Sequence, residues 1–150
     1  MGATAVDELE VQLLHPDAVT PRRTREGDAG YDLRSVERFV LAPGERRLTA
    51  TGLAVAIPPG VAGLVLPRSG LALQHGVTTL NAPGLIDPNY RGELKVILHH
   101  AGHEPVAIEV GDRIAQLLLV GFLSPQLVAV EALPPSPDDR GTAGFGSSGR

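Results

Sequence analysis

Short apolar segments alternate with breaks rich in proline and glycine along most of the chain. The breaks recur roughly every 8 to 12 residues, a spacing typical of all-β sandwiches and barrels. The clearest turn signals are Ala42–Glu45, Pro58–Gly60 and Ala82–Gly84, because proline presets one backbone angle and glycine tolerates the left-handed region. The predicted strands are Leu9–His15, Tyr31–Ser35, Arg38–Leu41, Arg46–Thr51, Leu53–Ile57, Ala62–Leu66, Thr78–Asn81, Glu93–His99, Val106–Ile108, Arg113–Phe122 and Leu127–Leu133.

Helix is predicted at one place only, Ser69–His75, with Ser69 as its candidate N-cap. Since so little helix is available to cover the strands, we expect sheet to pack on sheet. The run Ile114–Phe122 is apolar on both of its faces. That pattern predicts burial on both sides, such as a subunit interface provides.

The C-terminal segment has a different character from the rest of the chain. Residues 134–150 are rich in proline, glycine and serine and cannot form a core by themselves. We therefore predict a β domain over residues 1–133 and a flexible tail over 134–150. Phe145 stands between two glycines with Arg140 upstream, which suits an aromatic ring that stacks on a planar ligand and an arginine that binds phosphate. The alternative is an ordinary frayed terminus.

Composition narrows the class of protein. The 150 residues are 43% hydrophobic with a formal net charge of -4, which fits one compact domain and argues against bulk nucleic-acid binding. The absence of cysteine excludes disulfides and thiolate metal sites, so we expect a cytoplasmic protein. No signal peptide and no bilayer-spanning segment is recognisable, and we expect no membrane partner.

Two segments combine residues suited to phosphate chemistry. Arg68, Ser69 and Gly70 lie where a predicted strand runs into the helix, and together they offer a charged fork, a hydroxyl donor and close backbone approach. The simpler alternative is an ordinary turn with a capping serine. Asp87 precedes Tyr90 and is either part of a tight turn or a carboxylate that orients and deprotonates water.

Two polar residues occupy unfavourable positions in predicted strands. Gln116 lies in the long apolar strand, so its amide needs partners, either neighbouring backbone or a ligand. Asp32 is either exposed on a sheet edge or paired with something positive, an arginine or a hydrated metal. Asp112 and Arg113 read most simply as turn and surface charges, and the histidines show no metal-ligand spacing.

Taken in order, five segments resemble the motifs of the trimeric deoxyuridine triphosphate nucleotidohydrolases (dUTPases). The resemblance covers nearly the whole chain, and its third and fifth motifs are the most specific. The arginine-rich bias resembles that of actinobacterial members. The segments are Ala29–Leu33, Pro67–Ala72, Gly84–Glu93, Gly111–Leu117 and Arg140–Gly149.

This resemblance implies a β jelly roll that assembles as a homotrimer, with each active site drawing on three subunits. The implied activity is hydrolysis of dUTP to dUMP and pyrophosphate by magnesium-assisted attack of water on the α-phosphorus. That reaction supplies the precursor of dTMP and keeps uracil out of DNA. The first, second and fourth motifs would hold phosphates and Mg²⁺, the third would receive the nucleoside, and the fifth would close over it.

By the same resemblance, individual residues acquire expected roles. Asp87 matches the carboxylate that activates water and contacts the sugar, and Asp32 matches an acidic residue near the water shell of the metal. The substrate contacts would be Arg68, Ser69, Gly70 and Gln116 for the phosphates, Arg140 for the γ-phosphate, Tyr90 for the deoxyribose, Asn81 with the backbone of Leu85 and Ile86 for the uracil pocket, the backbone of Lys95 just beyond that pocket, and Phe145 for stacking on uracil.

Three other readings compete with this one. Deoxycytidine triphosphate deaminases share the fold, but they need a glutamate base in the strand after the hairpin, and here the only acid of that strand is Glu93 at its start. A catalytically silent trimer that binds a nucleotide or a protein would lack the carboxylate that Asp87 supplies. A lectin-like jelly roll without nucleotide chemistry does not explain the aromatic ring of Phe145 in the tail.

Overall fold

The computed structural model describes residues 7–138 and 140–144, so the predicted stacking residue Phe145 lies outside the described residues. The elements are short strands and a single helix, followed by an irregular C-terminal segment. They are β1 (Glu10–Leu13), β2 (Tyr31–Arg34), β3 (Phe39–Leu41), β4 (Arg46–Ala50), β5 (Leu53–Ala56), β6 (Val61–Leu66), α1 (Ser69–His75), β7 (Val77–Thr79), β8 (Gly84–Ile86), β9 (Lys95–His100), β10 (Val106–Ile108) and β11 (Arg113–Gly121).

All strand pairs are antiparallel. A four-stranded sheet has the order β2-β11-β6-β8, a three-stranded sheet has the order β4-β9-β7, and β1-β5 and β10-β3 form two-stranded ribbons. Leu33 and Leu117 of the first sheet join Val96 and Leu98 of the second in one buried aliphatic cluster. The core therefore lies between sheets, as the shortage of helix predicted.

Strand β11 is the central element of the four-stranded sheet. Its residue Gln116 lies opposite Asp32 of β2 on one side and opposite Leu66 of β6 on the other. Ile114 and Leu117 are buried, whereas the later residues 118–120 are only half-buried within one copy of the chain. One copy thus covers the first half of this apolar strand more completely than the second.

The predicted helix is confirmed over Ser69–His75, but its predicted cap is wrong. The N-cap is Arg68, whose backbone is extended, and it makes no capping side-chain hydrogen bond. Ser69 instead starts the helix, where its own backbone is already helical. The helix ends at Gly76, whose φ of 69° lies in the left-handed region that glycine tolerates. Among the described residues no helix is long and apolar enough to cross a membrane.

Two strand predictions differ from the structure. Gly84–Ile86, which is not among the predicted strands, forms β8 because it pairs with β6. The predicted strand Leu127–Leu133 is wrong, since this segment has no strand partner among the described residues. Leu127 is 91% exposed and Leu133 84% exposed. An apolar segment becomes a strand only where another strand accepts its hydrogen bonds, and none of the described strands pairs with this one.

Candidate active site

A cavity of about 640 Å³ opens where β2, β11 and the end of β6 meet. We call it the arginine cavity. It brings together the predicted residues Asp32, Arg68, Ser69, Gly70 and Gln116. Its full lining is Thr24, Arg25, Asp28, Ala29, Gly30, Asp32, Arg68, Ser69, Gly70, Arg113 and Gln116.

Sheet register explains why these residues meet. Asp32, Gln116 and Leu66 lie side by side on three adjacent strands. Side chains at directly paired positions point to the same face of a sheet, so Asp32 and Gln116 share one wall. The chain then leaves β6 at Leu66 and reaches Arg68 two residues later, at the edge of the same face.

Asp32 is the ionic centre of the cavity. Its carboxylate lies 3.4 Å from Arg68 Nε and 3.5 Å from Arg113 Nη1, and it accepts a hydrogen bond of 3.0 Å from Thr24 Oγ1. The Asp32 side chain is only 15% exposed. Of the two alternatives that the sequence left open, pairing with positive charge is therefore the one observed.

Arg113 was expected to be a surface charge, and the structure places it in the cavity instead. In a regular strand Arg113 and Gln116, three residues apart, would point to opposite faces. The pairing of β11 with β2 shifts register between Arg113 and Ala115, as in a β-bulge. Such a bulge re-aims a side chain, so both residues line the same cavity. No local sequence signal marks this bulge.

The amide of the half-buried Gln116 bonds to backbone and lies close to the segment before β2. Its Nε2 donates to Pro67 O at 3.0 Å. Its Oε1 lies only 2.5 Å from the position that a Cβ would take at Gly30. Glycine is therefore required at position 30 for Gln116 to keep this orientation.

Replacement of Gly30 by alanine is expected to displace Gln116 and break its bond to Pro67. The φ of Gly30 lies outside the left-handed region, so the collision is the main effect. We expect kcat/KM to fall about tenfold and the unfolding free energy to drop by about 1 kcal/mol. Steady-state kinetics and denaturant unfolding measure the two effects. Gly121→Ala, in the same strand as Gln116 and with its nearest atom at 3.9 Å, is the matched control. Unchanged kinetics in Gly30→Ala would show that the Gln116 position is unimportant.

The donor set of the arginine cavity fits Mg²⁺ that is held mainly by a ligand's own oxygens. The two carboxylates of the lining are Asp28 and Asp32. Asp32 is engaged by two arginines, and Asp28 accepts a hydrogen bond of 2.9 Å from Arg25 N–H. No cluster of three or more metal-binding side chains occurs within the described part of the chain. Mg²⁺ commonly keeps several waters and binds phosphate oxygens with few protein ligands.

A second cavity of about 320 Å³ lies beside the hairpin that follows β8. We call it the hairpin cavity. It contains the predicted residues Leu85, Ile86, Asp87, Tyr90 and Lys95. The predicted residue Asn81 is absent from its lining, whereas Leu48 and Glu93 are present although neither is a predicted site residue. Its lining is Leu48, Leu85, Ile86, Asp87, Tyr90, Glu93 and Lys95.

The turn that carries Asp87 is held by local hydrogen bonds. Tyr90 N–H donates to Asp87 O at 3.1 Å, and Arg91 Nη1 donates to Pro88 O at 2.7 Å and to Tyr90 O at 2.9 Å. The Tyr90 hydroxyl donates to Glu93 O at 2.9 Å, which fixes its ring. The Asp87 side chain is exposed and has no hydrogen bond or ion pair with any described residue. A rigid turn therefore presents a carboxylate that is free to bind water.

The two cavities lie apart in a single copy of the chain. They share no lining residue. Asp87 follows Ile86, which pairs with Gly63, whereas Arg68 follows the opposite end of β6. At a strand rise of about 3.3 Å per residue, positions 63 and 68 are about 16 Å apart along an extended chain. One copy therefore does not bring the free carboxylate to the arginines.

Arg140 lies in neither cavity. Its backbone N–H donates to Asp138 Oδ1 at 3.0 Å and its Nε donates to Ala143 O at 3.4 Å, so its described contacts are local to the exposed tail. The described tail residues, 134–138 and 140–144, thus line neither cavity of the same copy.

Comparison with known proteins shows a consistent likeness. A model of the dUTPase family matches residues 17–149. The deoxyuridine 5'-triphosphate nucleotidohydrolase of Anaeromyxobacter sp. is 54% identical over 135 residues, 90% of each chain. That of the actinobacterium Thermobifida fusca is 48% identical over 142 residues, 94% of this chain and 78% of its own.

Solved structures agree with the sequence comparisons. A Staphylococcus bacteriophage 80alpha dUTPase with dUPNHPP is similar at a TM-score of 0.89 and 34% identity, covering 97% of this chain and 100% of its own. A mutant dUTPase from phage phi11 of S. aureus, described with a structural Mg(II) ion, is similar at a TM-score of 0.79 and 30% identity, covering 84% and 98%. These likenesses confirm the predicted all-β, jelly-roll-like fold class.

Proposed function

Because this chain belongs to the dUTPase family, it hydrolyses dUTP, and we propose that separate copies of the chain build each active site together. In this proposal the arginine cavity of one copy binds the triphosphate, and the hairpin cavity of another supplies the nucleoside pocket and Asp87. The observation that carries the proposal is the separation of Asp87 from the arginine cavity within one copy. Neither cavity alone contains both the charge and the free carboxylate that the reaction needs.

Exposed apolar side chains support an assembly of copies. Phe122, Leu123, Leu127 and Val128 follow β11 and remain exposed. Apolar patches of this kind mark protein interfaces. The half-buried end of β11 leads directly into this segment. We take the assembly to be the homotrimer that the family resemblance implies.

Arg68, Ser69, Gly70 and Gln116 are proposed to hold the phosphates. Asp32 keeps the Arg68 guanidinium in place, together with a hydrogen bond of 3.4 Å from Arg68 Nη1 to Arg113 O. Phosphoryl transfer depends mainly on positioning and on neutralising charge, and this pre-set arginine supplies both. Bound Mg²⁺ would neutralise phosphate charge and polarise the phosphoryl oxygens. Asp32 would contact its water shell rather than the ion.

Asp87 is proposed to hold the attacking water in line with the α-phosphorus and to take up its proton. Its carboxylate has no hydrogen bond or ion pair with a described residue. Its turn is held by the hydrogen bonds from Tyr90 N–H and from Arg91 Nη1. Tyr90 would lie under the deoxyribose, where its fixed ring leaves no room for a 2′-hydroxyl. The backbone at Leu85, Ile86 and Lys95 would select uracil, because a mismatched base leaves hydrogen-bonding groups unpaired.

The structure argues against deaminase chemistry at the hairpin. A deaminase needs a free glutamate base in the strand after the hairpin. Here Glu93 Oε1 accepts a hydrogen bond of 2.9 Å from Gly52 N–H, and Glu93 Oε2 lies 3.6 Å from Lys95 Nζ. The Glu93 carboxylate is therefore already bonded, and it links the hairpin to the β4–β5 connection.

Mixed assemblies test whether the site is shared. We expect Asp87→Asn and Arg68→Ala to be nearly inactive when each is assembled alone. Co-expressed with different tags and purified through both, they should recover roughly a quarter or more of wild-type pyrophosphate release from dUTP, since some sites then combine an intact Asp87 with an intact Arg68.

The matched control is Asp87→Asn carrying both tags, which should stay inactive. If each copy held a complete site, the mixture of the two variants would stay as inactive as its parents. That result would overturn the shared site without touching the assignment of dUTP as substrate.

A further inference from the structure

The arginine cavity contains a third arginine that none of the five motifs includes. Its lining combines residues of the 24–30 loop with Arg68, Ser69 and Gly70. Arg25 belongs to the loop. Its side chain makes no hydrogen bond or ion pair with any described residue. Arg68 and Arg113, by contrast, share the Asp32 carboxylate.

The loop holds the backbone of Arg25 and leaves its guanidinium free. Arg25 N–H donates to Asp28 Oδ2 at 2.9 Å, and Asp28 N–H donates back to Arg25 O at 3.2 Å. The loop is tied to β2 by Asp32 N–H, which donates to Arg22 O at 2.9 Å, and by the Thr24 hydroxyl. The anchored backbone keeps Arg25 beside the cavity, so on binding only its side chain has to give up rotamer freedom.

The net positive charge of the arginine cavity favours binding of an anionic ligand. The charged groups of the lining are Arg25, Arg68 and Arg113 against Asp28 and Asp32. Three guanidinium groups against two carboxylates leave the lining with a net charge of +1. Arg68 and Arg113 share the Asp32 carboxylate, and Arg25 is the arginine of the three whose guanidinium has no ion pair with a described residue. A magnesium-bound triphosphate brings about two negative charges, and an arginine fork suits phosphate oxygens.

We propose that Arg25 is a further substrate-binding residue, and that it contacts the part of the triphosphate that departs as pyrophosphate. The inference rests on the proposed use of the arginine cavity for phosphates. Arg25 is the exposed arginine of that cavity, whereas Arg68 and Gln116 are half-buried. It therefore binds pyrophosphate as well as dUTP, and it contributes to binding in the ground state and the transition state alike.

Arg25→Ala tests this inference, because the exposed, unpaired side chain can be removed without loss of a described contact. We expect KM for dUTP and the inhibition constant of inorganic pyrophosphate, both with Mg²⁺, to rise about five- to tenfold while kcat changes less than about twofold. The effect should shrink as salt is raised from about 50 to 300 mM, because an exposed charge is screened. Arg25→Lys should retain most of the binding.

Arg23→Ala is the matched control. It removes the same charge from the same stretch of chain, but the Arg23 guanidinium lies over the Tyr31 ring, 5.5 Å from its centroid, and Arg23 does not line the arginine cavity. We expect wild-type KM and pyrophosphate inhibition for this variant. Equal effects in Arg23→Ala and Arg25→Ala would show that general electrostatic attraction, and not a direct contact of Arg25, affects binding. That result would overturn the inference.

Failure of this inference can be distinguished from failure of the proposed function. If Arg25→Ala binds pyrophosphate as tightly as the wild type, as titration calorimetry measures, the inference is wrong and the shared site stands. If Arg68→Ala leaves pyrophosphate binding unchanged as well, the arginine cavity is not the phosphate site, and the proposed function fails with it.

Discussion

Asp87→Asn is expected to lower kcat for dUTP hydrolysis by about 10³-fold or more while nucleotide binding stays largely intact. The amide has nearly the same shape as the carboxylate but cannot accept a proton from water, and a positioned general base contributes about 10² to 10⁴ in rate. The turn itself should survive, since backbone bonds and Arg91 hold it and none involves the Asp87 side chain.

Pyrophosphate release measures turnover, and calorimetry with a non-hydrolysable dUTP analogue measures binding. Asp17→Asn is the matched control, because Asp17 is exposed, carries the same charge and lines neither cavity. It should retain wild-type kcat. Turnover retained by Asp87→Asn would remove Asp87 from the role of water activation.

Truncation after Pro137 is expected to leave a folded assembly that has lost about 10³-fold or more of its activity. The deletion removes Arg140 and Phe145. An arginine that neutralises transition-state charge on phosphate contributes about 10³ or more, and stacking of an aromatic ring on a base contributes about 1–3 kcal/mol. The described tail residues are exposed and bond only locally, so the β domain should keep its stability.

Light scattering and thermal unfolding report on assembly and folding, and kcat/KM reports on the loss of activity. Arg140→Ala and Phe145→Ala separate the two contributions. Deletion of Arg150 alone, which lies beyond the segment that resembles the fifth motif, is the control and should be silent. Full activity after truncation would show that the tail is only a frayed terminus.

Prediction from the sequence worked best where one residue's own preferences decide the local structure. The helix over Ser69–His75 is bounded by Gly76, whose left-handed backbone ends it. Gln116 and Asp32 are recognisable as candidate site residues because an amide and a carboxylate are costly within strands. The structure brings them together in one cavity. Their roles in substrate and metal binding remain predictions.

The errors share a cause, which is dependence on a distant partner. Gly84–Ile86 is a strand because β6 pairs with it, and Leu127–Leu133 is not a strand because nothing described pairs with it. Arg113 joins the cavity through a register shift between β11 and β2. Each outcome depends on residues far away in sequence, so a local pattern carries no information about it.

The sequence by itself determined an all-β fold with one short helix, because this follows from backbone preferences and the spacing of apolar positions. The phosphate-binding residues and the separate tail that it indicates stay predictions. Only the tertiary structure decided that Arg25 and Arg113 join Arg68 in one cavity and that Asp87 lies apart from them. Antiparallel pairing along β6 carries Asp87 and Arg68 to opposite ends of the same strand, and strand register is a property of contacts between distant segments.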